Sequence, residues 1–140
     1  MTQSYQNLNA WQKAMELTHE IYRLTKKLPK DELYALSQQM RRAAVSIPSN
    51  IAEGQERNSP KQFINFFGIA RGSRAELETQ LLICLNENYF TSQDCMKANI
   101  LLKDVGNLIA GLISSIKKKQ GSTKTERKKL CITTGISRGI

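Results

Sequence analysis

The chain has 140 residues and carries 21 Lys and Arg against 12 Asp and Glu, a formal net charge of +9. This length suits one domain with a sizeable core and leaves little room for a second. The charge is uneven, because residues 117–140 hold eight basic side chains and one acid, Glu126. We therefore expect a nearly neutral body followed by a strongly basic tail.

The cysteines and the apolar segments bear on the compartment. Cys84, Cys95 and Cys131 form an odd set without CxxC or CxxH spacing, which favours a reducing cytoplasm over a disulfide framework. The first residues lack a basic start and an apolar run, so no signal peptide is expected. The most apolar window, residues 100–116, contains charged and amide side chains and is short for a bilayer span. The sequence thus predicts a cytoplasmic protein outside the membrane.

A first amphipathic helix is predicted from Asn9, which can serve as its N-cap, to the residues before Pro29. Its apolar stripe is interrupted by Thr18 and consists of Trp11, Ala14, Met15, Ile21, Tyr22 and Leu28. Asp31 is a suitable cap for a second helix that reaches about Glu53.

The second helix contains the sequence SIPSNIAEG at residues 46–54. Asn50 continues a seam of apolar residues spaced three and four apart, and a buried amide of this kind must be hydrogen-bonded and often fixes helix register or number. Pro48 removes a backbone donor and should bend the helix. Gly54 favours a left-handed helix end. The seam consists of Leu33, Leu36, Met40, Ala43 and Ile47.

A third helix should run from Pro60, after the cap Ser59, to about Asn86. Gly68 and Gly72 predict tight packing or a bend. One face, interrupted by Arg74, carries Phe63, Phe67, Ala70, Leu77, Leu81 and Cys84, and a second face carries Phe66, Ile69 and Ile83.

A fourth helix follows a cap at Thr91 or Ser92, with Asp94 in its first turn. Its apolar arc is wide, which indicates contact with another subunit or, alternatively, deeper burial within a monomer; we favour oligomerisation. The arc combines Ala98, Leu101, Val105, Leu108 and Leu112 with Leu102, Ile109, Ile113 and Ile116.

Four amphipathic helices with short connections predict an all-α protein, an antiparallel up-down-up-down four-helix bundle. Periodicity fades after Ile116, so we place the bundle domain at residues 1–118 and a basic, disordered tail at 119–140.

Enzyme chemistry has no support in the residue pattern. Antiparallel packing brings Arg41 or Arg42 within reach of Glu76 or Glu78, which we interpret as a structural ion pair rather than a catalytic one. His19 has no partners at metal-ligand spacing, and no phosphate-binding glycine loop is present. We expect no catalytic residue, no metal and no cofactor.

Basic side chains carry the one direct implication about a partner, because they can neutralise phosphates of RNA or DNA. A solubilising tail is the alternative. No aromatic residue lies among the tail charges, so base stacking is not expected there. The candidate nucleic-acid contacts are Arg57, Lys61, Arg71, Lys117, Lys118, Lys119, Lys124, Arg127, Lys128 and Lys129.

Three segments together resemble a known family: SIPSNIAEG at residues 46–54, FINFFGIARGS at 63–73 and ELETQ at 76–80. They are similar to bacterial four-helix-bundle proteins encoded in intervening sequences of 23S ribosomal RNA genes, and the likeness spans residues 8–118. The marker positions are Ser46, Asn50, Glu53, Gly54, Ala70, Ser73, Glu76 and Glu78. Pro48 and Arg42 are further members of the predicted structural motif.

The resemblance implies a cytoplasmic helical bundle that assembles as a ring-shaped homo-pentamer, and it implies no catalytic residues. More distant accessory variability proteins of retroelements are similar in shape and bind nucleic acid and a reverse transcriptase. We therefore expect a non-enzymatic oligomeric bundle that contacts nucleic acid, with RNA favoured, through a multivalent basic surface. The alternative is a scaffold that docks a partner protein through apolar surface of the third and fourth helices.

Overall fold

The computed structural model describes the backbone of residues 4–133 and the side chains of residues 4–121. Four α-helices are present, with a short 3-10 helix before each of the first two. They are α1 (Asn9–Thr25), α2 (Leu36–Glu56), α3 (Pro60–Asn86) and α4 (Met96–Thr133), and the 3-10 helices are Tyr5–Asn7 and Lys30–Glu32. No strand occurs within residues 4–133, so the all-α class is confirmed for this part of the chain.

Each helix packs against two others: α1 and α3 both contact α2 and α4. Contact positions on α1 and α2, and on α2 and α3, advance in opposite chain directions, so both pairs are antiparallel. The contacting pairs are Thr18 with Ala44 and Thr25 with Arg41 between α1 and α2, and Met40 with Cys84 and Ser46 with Ser73 between α2 and α3.

The buried stripe of α1 differs from the predicted one. Leu17 and Leu24 are fully buried, whereas Met15 is 44% and Tyr22 is 37% exposed. Ala14 and Ile21 of the predicted stripe are fully buried as well. The buried face is therefore rotated towards Leu17 and Leu24, and Met15 and Tyr22 lie at its edge, because α1 packs against both α2 and α4.

The starts of the first two helices also required correction. α1 begins at Asn9 itself, and the preceding Leu8 contributes its side chain to the core instead of a polar cap. Asp31 lies in the 3-10 helix, and α2 begins only at Leu36. Leu33 therefore belongs to the connection and is 52% exposed, outside the predicted seam.

The third helix has the predicted bounds. Ser59 Oγ accepts a hydrogen bond from the backbone N–H of Gln62 at 3.4 Å, and Pro60 opens the first turn. The start of α4 is also close to its prediction: Thr91 and Asp94 exchange backbone-to-side-chain hydrogen bonds of 2.9 and 3.1 Å in the turn before Met96. Such reciprocal caps satisfy backbone donors at a helix entrance.

Both apolar stripes of α4 pack inside this chain. Ala98, Leu101, Leu102, Val105, Ile109 and Ile113 are buried, and Leu108, Leu112 and Ile116 pack against them. The wide arc thus matches the alternative of deep burial within one bundle, and evidence for surplus apolar surface must come from other residues.

The fourth helix continues to Thr133, past residue 119 where the predicted tail begins. Lys, Arg, Gln and Glu are good helix formers, and residues 119–133 contain no proline. The rest of the predicted tail, residues 134–140, lies outside the described residues. The division into a bundle domain and a tail stays a prediction.

By length and composition, the stretch Met96–Gly121 could cross a membrane. Core helices of soluble proteins meet the same two criteria. In this bundle 28% of the apolar window is buried, and the stretch contributes part of the core, as Val105 and Ile109 illustrate. The expectation of a protein outside the membrane stays a prediction.

Candidate nucleic-acid interface

Pro48 lies inside α2, and its missing N–H is replaced by a side chain from α1. In a regular helix the N–H of residue 48 would donate to the carbonyl of Ala44. Here Thr18 Oγ1 lies 3.0 Å from that carbonyl and 2.9 Å from the carbonyl of Ala14. Thr18, which interrupts the apolar pattern of α1, thus supplies the donor that the proline lacks.

The amide of Asn50 is satisfied within the chain. Its Nδ2 donates to the Ser46 carbonyl at 2.8 Å and to Ser46 Oγ at 3.0 Å. Ser46 Oγ in turn lies 2.8 Å from Ser73 Oγ on α3. Three predicted marker residues therefore form one hydrogen-bonded connection between α2 and α3. The predicted influence of Asn50 on subunit number stays a prediction.

Gly54 does not end α2, contrary to the prediction. It is buried two residues before the end of the helix, and a Cβ at this position would lie 2.8 Å from Phe67 Cδ1 and 3.0 Å from Phe66 Cβ. The glycine therefore allows α3 to approach the backbone of α2. In contrast, a Cβ at Gly68 or Gly72 would meet no described atom of another helix within 4 Å, so these glycines do not provide tight packing among the described residues.

The predicted pairs of Arg41 or Arg42 with Glu76 or Glu78 do not form among the described residues. Arg41 Nε donates to Thr25 Oγ1 at 2.8 Å, and its guanidinium lies 4.6 Å from the ring centroid of Tyr22. The carboxylates are engaged on α3 instead: Glu78 accepts from Arg74 at 3.3 Å, and Glu76 from Gln80 at 3.4 Å.

Arg57, the first predicted nucleic-acid contact, lies directly after α2. Its Nη2 donates to Glu53 at 3.0 Å, and its guanidinium lies 5.2 Å from the centroid of the Phe66 ring. The side chains of Arg57 and Glu53 are about half exposed, at 46% and 51%. Because an exposed ion pair of this kind is held by little free energy, a phosphate could compete for the arginine.

Arg57 and Lys119 line the same open cleft, of about 470 Å³, where the connection between α2 and α3 faces α4. The first turn of α3 also lines it, with Ser59 and Pro60. The positive end of a helix dipole and two cations together favour an anion. The remaining lining residues are Leu8, Gln55, Asn58, Phe63, Leu112, Ser115 and Ile116.

Other predicted contacts lie at different distances from the cleft. Lys61 is exposed in the first turn of α3, and Lys117 and Lys118 are exposed next to Lys119. Arg71 is exposed far along α3, where the cleft does not extend. Lys124, Arg127, Lys128 and Lys129 lie on the helical backbone of α4, and their side chains are outside the described residues.

The sequence interpretation missed the polar lining residues Asn58, Ser59 and Ser115 as candidate contacts. The Ser59–Pro60 signal located the start of α3 correctly, and it could have identified this anion-favouring position. No local sequence pattern marks Ser115, because its place in the cleft depends on how α4 packs against the connection between α2 and α3.

The described side chains give little support to catalytic or metal-dependent chemistry. No group of three or more His, Cys, Asp or Glu residues among them is arranged to hold a metal ion. His19 is exposed in a groove on α1. Burial raises the pKa of Cys84 to about 11, with a smaller contribution from Cys95, so this thiol is a poor nucleophile at neutral pH.

Comparisons with other proteins agree with the motifs on α2 and α3. The family model for the 23S rRNA-intervening sequence protein matches residues 6–111. The crystal structure of a protein of unknown function from the S23 ribosomal protein family of Bacteroides thetaiotaomicron VPI-5482 is similar, with 27% identity and a TM-score of 0.69. The match covers 74% of this chain and 97% of that one. No curated protein matches the chain. The chain belongs to the 23S rRNA-intervening sequence protein family.

Proposed function

We propose that this protein is a non-enzymatic helical bundle of the cytoplasm that binds nucleic acid through the basic end where α2 and α3 are connected. The observation that carries the proposal is the shared cleft of Arg57, Lys119 and the first turn of α3. RNA is favoured over DNA because the family is named for sequences that interrupt 23S rRNA. The binding requires only phosphate contacts, which act regardless of sequence.

The proposed particle is a ring of identical copies, each an up-down-up-down bundle, with five subunits as the expected number. The support comes from large apolar side chains that one chain leaves exposed. Leu82 is 55% and Ile100 is 56% exposed, and Ile69, Ile83 and Met96 are similar. Exposed apolar patches of this type are typical of protein interfaces. Copies that cover one another would repeat the basic end around the ring and bind RNA multivalently.

The basic end can be tested by neutralising Arg57, Lys61 and Lys117 to Gln together. We expect weaker RNA binding, and a plot of log affinity against log salt that is shallower by about two to three units, since each lost phosphate contact removes about 0.7 to 0.9. Fluorescence anisotropy with a labelled RNA over a salt series measures both quantities. Solution mass should remain that of the wild type.

The matched control neutralises Lys26, Lys27 and Lys30 to Gln, which changes the net charge equally. These lysines are exposed in the connection between α1 and α2, which is remote from the cleft. Equal effects of the two triple variants would contradict a localised site. If the wild-type protein ignored RNA and DNA even at low salt, the proposed function would be wrong.

A second candidate function is a scaffold for another protein, and the same exposed apolar residues of α3 and α4 favour it. A binding experiment can distinguish the two functions. A particle that ignores nucleic acid but retains one protein at fixed stoichiometry, with binding lost in Leu82→Glu, would support the scaffold.

A further inference from the structure

The second half of α4 extends past the family's shared region. The family model ends at residue 111, whereas α4 continues to Thr133. The Bacteroides structure is matched over 97% of its length and accounts for 74% of this chain. About a quarter of this chain therefore has no counterpart in that neighbour, and α4 extends past the residues that the family model matches.

This addition concentrates the charge of the molecule. Residues 117–133 hold seven Lys or Arg and one acid, Glu126, whereas residues 96–116 of the same helix hold Lys97, Lys103 and Asp104. At about 1.5 Å per residue, residues 121–133 span about 20 Å. Residues 121–133 follow shortly after Lys119, which lines the cleft.

The type of nucleic acid follows from the residues that accompany these charges. Proteins that bind single strands without sequence preference combine cations with aromatic side chains on which the bases stack. α4 contains no Phe, Tyr or Trp over its whole length. The aromatic residue in the cleft, Phe63, is 9% exposed and belongs to the core. Cations on a helix that has no aromatic residue fit the phosphates of a duplex.

We propose that residues 121–133 of α4 form a basic arm that lies along the phosphate backbone of a double-stranded nucleic acid. This inference rests on the proposed function, because the arm continues the helix on which Lys119 lines the cleft. The arm adds phosphate contacts for which the shared bundle has no equivalent. It contributes affinity for a duplex rather than recognition of a sequence.

The test uses the full chain with Lys124, Arg127, Lys128 and Lys129 changed together to Gln, a residue of similar helix propensity. The control changes Lys26, Lys27, Lys30 and Lys97 to Gln, an equal loss of charge on exposed lysines of the bundle. Fluorescence anisotropy follows binding to a labelled duplex RNA, a duplex DNA and a single-stranded RNA of equal length. Circular dichroism and solution mass show that each variant retains its fold and assembly.

We expect the wild type to prefer either duplex over the single strand. The arm variant should show a salt dependence that is shallower by about three to four units, which reduces the affinity loss between about 50 and 200 mM salt by about 100-fold. The control should stay close to the wild type. The two duplexes show whether RNA or DNA geometry suits the arm.

Two results would overturn the inference while leaving the proposed function intact. One is an arm variant that binds as tightly as the wild type, which would mean that the contacts lie on the bundle. The other is tighter binding to the single strand than to either duplex. A wild-type protein that binds none of the three probes would refute the proposed function and the arm together.

Discussion

The substitution Thr18→Val tests whether α1 repairs the gap that Pro48 leaves in α2. Valine keeps the shape of threonine and removes the hydroxyl, so the Ala44 carbonyl loses the donor at 3.0 Å. An unsatisfied buried acceptor costs about 1–3 kcal/mol. Thr18 is half-buried, so water can reach part of the site, and we expect a loss of about 1–2 kcal/mol in the free energy of unfolding.

The assay is urea denaturation of four proteins: the wild type, Thr18→Val, Pro48→Ala and the double variant. Alanine at position 48 restores an N–H for the Ala44 carbonyl, so Thr18→Val should cost about 1 kcal/mol less in that background. The effect of Pro48→Ala alone cancels in this comparison. Thr79→Val is the matched control, because Thr79 Oγ1 bonds only the Ala75 carbonyl of its own helix, at 2.9 Å, and this change should stay within about 0.5 kcal/mol.

An equal cost of Thr18→Val with proline and with alanine at position 48 would refute the proposed role of the Thr18 hydroxyl. Additivity within about 0.5 kcal/mol would mean that the hydroxyl acts independently of the missing N–H. A neutral Thr18→Val would refute it as well.

Three further predictions concern packing, assembly and pH. Gly54→Ala should destabilise the protein by about 1–3 kcal/mol, because its Cβ would lie 2.8 Å from Phe67. Gly72→Ala, whose Cβ would meet no described atom of another helix within 4 Å, should be neutral or stabilise the chain by up to about 1 kcal/mol. Urea denaturation at a protein concentration low enough to dissociate any oligomer compares the two variants, and equal effects would contradict the close approach at Gly54. Leu82→Glu should lower the particle mass measured by light scattering while the helix content by circular dichroism stays unchanged, and an unaltered mass would remove this residue from the interface. The raised pKa of Cys84 means that the folded state favours the neutral thiol, so the stability present below the ordinary value of 9.0 should be lost as pH rises towards about 11; denaturation of the Cys84→Ala variant should lack that part of the decline.

Local signals predicted the fold best where capping and periodicity acted together. α3 has its predicted bounds because Ser59 and Pro60 fix its start independently of tertiary packing. Gly54 shows the limit of such signals, since glycine permits both a left-handed turn and a close helix contact. The contact with Phe67 decided between them. Arg41 shows the same limit, because its partner Thr25 lies on a helix that the predicted pairing had not included.

The sequence predicted which charged residues belong to the candidate site, but it did not predict how they are arranged in space. Composition alone identified Arg57 and Lys119 as cations. Their meeting in one cleft depends on the level at which α4 passes the connection between α2 and α3, which no single helix encodes. The extent of α4 was missed because high charge was interpreted as disorder, although the same Lys and Arg side chains are good helix formers.

Lysine footprinting by acetylation and mass spectrometry, with and without a saturating duplex RNA, tests most directly where the nucleic acid lies. If the basic end is the interface, RNA should protect Lys61, Lys117 and Lys118 and leave Lys26 and Lys30 fully reactive. Protection of Lys26 and Lys30, with the lysines of the basic end still reactive, would contradict the account.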